Sequence, residues 1–275
     1  MMITDLSIAA AELAELMRGK RTLATTGAGI STDAGLPDYR GTGSTEQPNI
    51  DFQMFVADPV WRRWVWQRNH ETWQIFSQLR PTPAHLALAQ LERAGLVSGI
   101  ATQNVDGLHE LAGSAAWELH GSWREVECLS CGLRFPRADY AEQLTELNPG
   151  WPTYDHDVAV LASADRAAAE ASTFQVAPCP RCGGIVKPAI VFFGQSLPPA
   201  MDQALAAAQD ADVILAVGSS LIVSTGLWVV RQGWANGAPI AIVNRGRTEA
   251  DAIATLRVEG GASEVLTELV QQLGI

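Results

Sequence analysis

All four cysteines of the chain fall in two Cys-x-x-Cys pairs, Cys128/Cys131 and Cys179/Cys182. Two such pairs with none left over predict one structural zinc ion, because four thiolates saturate a tetrahedral site and leave no position for water. Such a site holds shape and does no chemistry. Gly132 follows the first pair and Gly183-Gly184 the second, which allows tight turns around a metal. The separation, residues 132–178, is long for a free-standing zinc ribbon, so the metal is expected to staple an insert within a larger fold. A redox pair, or four unrelated buried cysteines, are the alternatives.

The larger fold is read from strand-to-glycine punctuation. Thr22–Thr26 is a β-prone run ending in Gly27-Ala28-Gly29, the opening of a nucleotide-binding half-fold. Thr82 as N-cap, Pro83 at the first helical position and Gly95 past the end frame a helix, and the strand Val97–Ala101 follows. Asp212–Val217 closes on Gly218-Ser219-Ser220, and Pro239–Val243 closes on Asn244-Arg245-Gly246. Leu256-Arg257-Val258 precedes a last helix, Ala262–Leu273. Strands alternating with helices predict an α/β fold: a Rossmann-like, doubly wound parallel sheet with a smaller zinc-binding domain and a helical insert. The expected boundaries are 1–40, 82–126 and 184–275 for the nucleotide-binding domain. The insert, 41–81, is rich in tryptophan (Trp61, Trp64, Trp66, Trp73), and the zinc module is 127–183, with a loop-like stretch over Asn148–Pro178.

The balance of 30 acidic against 19 basic residues, formally −11, repels phosphate backbones, so nucleic acid is not expected as a partner. It suits lysine-bearing protein segments better, although an acidic surface is also a solubility device. No apolar run reaches the length of a membrane span. Met1–Arg18 has the spacing of an amphipathic helix (Leu6, Ala10, Leu13, Leu16, Met17) with an early acid, Asp5, unlike a cleaved leader. A cytoplasmic protein is expected. A monomer is the default expectation, with the oligomeric state left open.

Taken alone, Gly27-Ala28-Gly29 is a weak dinucleotide signal, since Thr32 stands where a third glycine or alanine belongs. Asp51 lies at a plausible distance for a ribose-binding acid, but no apolar strand precedes it, which disfavours a hydride-transferring dehydrogenase. The wider set is more specific. Gly29-Ile-Ser-Thr-Asp-Ala-Gly-Leu-Pro-Asp-Tyr-Arg40, Thr102-Gln-Asn-Val-Asp-Gly-Leu-His109, Leu119-His120-Gly121, Val191-Phe-Phe-Gly194 and Val217-Gly-Ser-Ser-Leu221 resemble the sirtuins in type and order, and bracket the cysteine pairs as in that family.

The resemblance implies that NAD is cleaved at the nicotinamide–ribose bond and that the acyl group of an acyl-lysine protein leaves on ADP-ribose. His120 would be the general base that activates a ribose hydroxyl, a task suited to a group titrating near neutrality. Asn104, Asp106 and Ile30 would hold the nicotinamide amide, and Gln103 the ribose. Phosphates would sit against backbone N–H groups of Ala28 and Gly29 beside Gly27, aided by Arg40 in the segment Asp38-Tyr39-Arg40. Gly218, Ser219, Ser220, Asn244 and Arg245 match positions around the adenosine. Val191, Phe193 and Gly194 resemble the strand that pairs with substrate peptide, with Phe193 along the lysine stem. The metal ligands would be Cys128, Cys131, Cys179 and Cys182. His85 and His109 are read as structural.

Tyr39, the Gly-Ser-Ser-Leu loop, Trp73–Leu88 and Leu147-Asn148-Pro149 resemble the class II branch, which includes lipoamidase-type mitochondrial sirtuins. Tyr39, Gln195 and Ser219 depart from the commoner family residues. Desuccinylating sirtuins carry a Tyr-x-x-Arg pair in the helical insert; no tyrosine occurs here between Tyr39 and Tyr140, so acidic acyl groups are disfavoured. Lipoyl, branched, long-chain or acetyl groups remain. The tryptophans could wall an acyl channel or form the insert's own core; helical spacing favours the core. Asp155-His156-Asp157 is read as solvated rather than as a second metal site. The competing readings are a non-catalytic NAD-sensing scaffold and a protein mono-ADP-ribosyltransferase.

Overall fold

Short runs in which every side chain is buried, such as Val213-Ile-Leu-Ala-Val217 and Ile240-Ala-Ile-Val-Asn244, are suited to strands covered on both faces. The computed structural model describes residues 2–36, 50–153 and 164–275 and bears this out. In chain order the elements are β1 (Met2–Ile3), α1 (Leu6–Met17), β2 (Thr22–Thr26), α2 (Phe52–Ala57), α3 (Pro59–Ser77), α4 (Pro83–Arg93), β3 (Val97–Thr102), α5 (Leu108–Leu111), β4 (Ala116–Glu118), β5 (Gly121–Cys128), β6 (Arg134–Pro136) and α6 (Arg137–Leu147). They continue as α7 (Arg166–Ala171), β7 (Val186–Ile190), α8 (Ala200–Asp210), β8 (Val213–Val217), α9 (Ser224–Ala235), β9 (Ile240–Asn244), β10 (Leu256–Glu259) and α10 (Ala262–Leu273). No helix among the described residues is long and apolar enough to cross a membrane.

The chain forms two compact units. The first comprises the described residues of Met1–Asp38, Arg80–His120 and Leu197–Ile275. Its seven-stranded sheet runs β1-β10-β9-β8-β2-β3-β4, and every pairing is parallel. Successive residues of β8 serve opposite faces. Leu215 and Val217 join Leu13, Leu88 and Leu266 of α1, α4 and α10, while Ile214 and Ala216 join Ala204 and Val230 of α8 and α9. Helices on both faces make the sheet doubly wound. Chain order reverses at β2, which lies between β3 and β8, so the loop after β2 opens at the topological switch point, where α/β sheets bind ligands.

The local signals for α4 are realised in detail. Thr82 Oγ1 caps His85 N–H, Pro83 opens the helix and Gly95 takes a left-handed φ of 73° beyond its end. His85 and His109 are buried, with rings 4.6 Å apart. His85 Nδ1 accepts from the Thr82 N–H at 3.2 Å, and His109 Nε2 lies 2.9 Å from Thr26 Oγ1. Burial holds His85 at about 4 and His109, which also faces His85, at about 3. The unfolded chain takes up these protons near pH 6.5 and the native state does not, so their stabilisation is complete above 6.5 and falls as pH drops towards 4. Urea unfolding at pH 7.5 and 5.0 should show a loss of about 2 kcal/mol per histidine. A pH-independent midpoint over that range would contradict their burial as neutral groups.

The second unit comprises the described residues of Tyr39–Leu79 and Gly121–Ser196. Its sheet, β6-β5-β7, is antiparallel. Trp61, Trp64 and Trp66 of α3 are buried with Phe55, Tyr140 and Phe174 in one cluster, so these three form core, while Trp73 is half-buried. Trp66 Nε1 donates to the Val186 carbonyl at 2.9 Å, tying α3 to β7. Arg137 is fully buried, its guanidinium 4.5 Å from the Trp73 ring and its Nε donating to Asn69 Oδ1 at 3.0 Å.

Two expectations are corrected here. The stretch Asn148–Pro178 holds helix α7, capped by Asp165, because its alanine run is a strong helix former. The Asn148 side chain bridges Leu144 O and Gln175 O, so the ends of the stretch are tied together. The strand β7 ends at Ile190, so Val191–Gly194 is not strand. A turn follows, with Gln195 N–H donating to Phe192 O and Gly194 at φ 81°. Asp155-His156-Asp157 lies outside the described residues.

Candidate active site

The cysteine centre belongs to the second unit. The turn after Cys128 is closed by Gly132 N–H on Cys128 O, and the turn after Cys179 by Gly183 N–H on Cys179 O. Gly132 and Gly183 take left-handed φ values of 67° and 73°. The four Sγ atoms lie within 4.8 Å of one another, with Cys128–Cys182 at 3.5 Å and Cys131–Cys179 at 3.8 Å. Tetrahedral zinc at about 2.3 Å from each sulfur requires sulfurs about 3.8 Å apart. The donor set fits a structural zinc ion.

In the first unit, the loop after β2 packs against the loop after β8 with no space for side chains. A Cβ on Gly27 would meet Ser219 Cβ at 2.7 Å, and one on Gly29 would meet Gly218 O at 2.8 Å. Gly218 itself has φ 59°. The Gly29 N–H donates to Gly218 O at 2.8 Å. Close packing explains the glycine at this position, and its amide bonds to the facing loop. Gly29, Gly218, Asn244 and Arg245 line a cleft of about 440 Å³ with Thr32, Asp33 and the Gly260–Glu264 start of α10. Asn244 Nδ2 is held by Arg245 O at 2.8 Å, and Arg245 pairs with Glu264 at 3.1 Å. Two backbone turns and a helix start around one cleft are a cradle suited to an anionic nucleotide. A second cleft, about 320 Å³ and lined by Arg62, Arg63 and Phe174 in the other unit, holds none of the expected site residues.

Asn104, Asp106 and the Gly27–Ile30 turn are brought together by Ser31, a residue the sequence reading missed. Ser31 Oγ donates to Asp106 Oδ2 at 2.8 Å, and Asn104 Nδ2 donates to Ser31 Oγ at 3.0 Å and Gly27 O at 3.1 Å. Asp106 Oδ1 also caps Leu108 N–H. Ile30 is buried, its carbonyl accepting from Thr82 Oγ1 at 2.9 Å.

His120 follows β4. Its Nδ1 lies 2.8 Å from the Gln103 carbonyl and its Nε2 2.9 Å from Thr225 Oγ1. A carbonyl only accepts, so Nδ1 carries the proton and Nε2 the lone pair. Burial lowers the pKa, and the Gln103 bond opposes part of that shift, leaving a neutral base at neutral pH. Thr225 was also missed. The Gln103 side chain accepts from Ser219 Oγ at 2.9 Å, and Ser219 Oγ in turn accepts from Leu221 N–H. Ser220 is half-buried, its carbonyl accepting from Glu249 N–H at 3.0 Å. Gly121 is required sterically: at φ 76°, a Cβ would fall 2.0 Å from Ala189 O.

Asp51 caps α2 through Met54 N–H at 2.7 Å, a sufficient structural reason for the acid. Phe193 is 67% exposed, its carbonyl accepting from Phe52 N–H, and Val191 is half-buried. Asp38, Tyr39 and Arg40 lie outside the described residues.

This glycine-cradled cleft and half-buried neutral histidine occur in a chain whose residues 27–225 match the model of the Sir2 family. The chain belongs to the Sir2 family. Among relatives of this Sir2 protein, the NAD-dependent protein deacetylase 1 of Mycobacterium avium (strain 104) is 44% identical, covering 95% of each chain. The NAD-dependent protein deacetylase 1 of Streptomyces coelicolor (strain ATCC BAA-471 / A3(2) / M145) is 40% identical, covering 96% of this chain and 90% of its own. A Sir2 structure with a p53 peptide and NAD superposes with a TM-score of 0.73 at 30% identity, covering 96% of this chain and 98% of that one. A Sir2Tm structure bound to a propionylated peptide gives the same TM-score at 29% identity, with the same coverage.

Proposed function

We propose that this Sir2 protein is an NAD-dependent protein-lysine deacylase acting on acylated lysine side chains of other proteins. The observation that carries the reading is the His120 imidazole, half-buried, neutral and protonated on Nδ1, which leaves Nε2 as a base at neutral pH. NAD supplies the ribose carbon that receives the acyl oxygen when nicotinamide leaves. Asn104 and Asp106, organised by Ser31, would hold the nicotinamide amide beside Ile30. Gln103 would position the ribose, and the cleft with Asn244 and Arg245 would take the adenosine end. His120 Nε2 would take the proton of a ribose hydroxyl.

Within that activity we assign uncharged acyl groups. Acetyl is the first choice, in keeping with the deacetylase names of the relatives. Lipoyl and branched groups follow from the class II-like Tyr39 and Gly-Ser-Ser-Leu loop. Trp61, Trp64 and Trp66 of α3 support no channel wall, since they are packed into the unit's own core. The test is mass-spectrometric turnover of one lysine peptide carrying acetyl, lipoyl, long-chain, methylglutaryl or succinyl groups, with NAD. The expected result is free lysine with O-acyl-ADP-ribose, fastest for an uncharged group. A mass gain on the peptide without acyl loss would instead identify ADP-ribosyl transfer. Binding of NAD with neither product would leave only a sensor.

A further inference from the structure

Gln103, His120 and Thr225 come from three separate segments and close a hydrogen-bonded ring whose proton directions are all determined. Gln103 Nε2 lies 3.0 Å from the Val223 carbonyl, which fixes the amide orientation because a carbonyl only accepts. Its second proton goes to Thr225 Oγ1 at 3.1 Å, and Gln103 Oε1 accepts from Ser219 Oγ. Thr225 is 6% exposed, and its own proton has His120 Nε2 as acceptor, 2.9 Å away. The ring closes through His120 Nδ1–H on the backbone carbonyl of Gln103 itself. A Cβ on Gly226 would fall 2.5 Å from Gln103 Oε1, so the backbone at the start of α9 also confines that amide.

We propose that Thr225 is a positioning residue for His120: its hydroxyl holds the imidazole in the Nδ1–H tautomer and keeps the Nε2 lone pair occupied until a ribose hydroxyl takes its place. The inference rests on the deacylase reading, since it assigns Nε2 as the atom that receives the proton. The geometry gives the exchange a simple form. One O–H donor replaces another at Nε2, and the displaced threonine hydroxyl keeps its bond from Gln103. Binding of the ribose by Gln103 and release of Nε2 by Thr225 are thereby coupled through one side-chain amide. Without the hydroxyl, His120 Nε2 loses its partner and the ring is held from one side only, so the Nε2–H tautomer and a flipped ring become accessible.

The test compares Thr225→Val, which keeps the shape and removes the hydroxyl, with Thr225→Ser, which keeps the hydroxyl. In the NAD-free full-length protein, ¹⁵N NMR of the His120 ring should show the Nδ1–H tautomer in wild type and Thr225→Ser. Thr225→Val should show a mixture. With NAD saturating, kcat of Thr225→Val should fall by about five- to tenfold, the equivalent of one lost hydrogen bond, while Thr225→Ser stays within about twofold. Should Thr225→Val fail to fold, Thr225→Ala against Thr225→Ser makes the same comparison. An unchanged tautomer in the variant lacking the hydroxyl, or a serine variant no better than it, overturns the proposal. The tautomer measurement needs no turnover. Loss of the deacylase reading would appear as an inactive wild type, whereas failure of the positioning role would appear as an active wild type with an indifferent Thr225.

Discussion

His120→Ala is expected to lower kcat/KM for deacylation by a factor of about 10² to 10⁴, the contribution of a positioned general base. NAD affinity should change little, because the cleft residues Gly29, Gly218, Asn244 and Arg245 do not depend on the imidazole. Calorimetry with NAD and product mass spectrometry on the same preparation separate the two effects. The pH profile gives a second check. Burial depresses the His120 pKa, so the acid limb of kcat/KM in wild type should fall below the ordinary imidazole range near 6.5. Activity should be full at pH 7 and should decline only as the pH drops through that lowered value. A variant retaining wild-type turnover would show that another group takes the proton.

Removing zinc should have the largest effect on structure. In metal-dependent peptides a structural zinc contributes about 10–16 kcal/mol, as much as the whole stability of an ordinary domain. The second unit has only a three-stranded sheet, and two of its connections are the cysteine turns. Stripping the ion with a strong chelator, or replacing Cys179 by Ser, should therefore unfold that unit. Trp64 and Trp66 would become exposed, and tryptophan emission should shift to the red with new protease cleavage between residues 121 and 196. Metal analysis of the untreated protein should find one zinc per chain. A chain that keeps its emission spectrum and protease resistance after stripping would show that the aromatic cluster alone sustains the unit.

The sirtuin assignment could be made from the sequence because the motifs depend on steric needs that appear as residue types. Glycines at 27, 29 and 218 are legible because the two loops approach within Cβ distance, which no other residue permits. The cap at Thr82, the proline at 83 and the glycine at 95 are legible because they satisfy backbone groups a few residues away. Paired cysteines are legible because metal geometry sets the spacing. The class II-like detail is less so. It rests on Tyr39, the Gly-Ser-Ser-Leu loop and two short stretches.

What the sequence by itself determined were the local and sterically enforced features: strands β2, β8 and β9, helices α1, α4 and α10, the thiolate set, and the histidine beside Gly121. Tertiary structure alone decided which distant groups meet. Strand β5 escaped notice because its residues between Ser122 and Val126 lack an apolar alternation, and its partners lie beyond it in the chain. The turn at Val191–Gly194 resembles a continuing strand in composition, but it bends where Gln195 reaches back to Phe192. Ser31 beneath Asp106, Thr225 on His120 and the Gly260–Glu264 wall of the cleft have no local signature, since each acts on a residue far away in the chain. Periodicity and capping are interactions between near neighbours and so are written locally; the hydrogen-bond directions that make His120 a base are long-range contacts, and only the packed sheet supplies them.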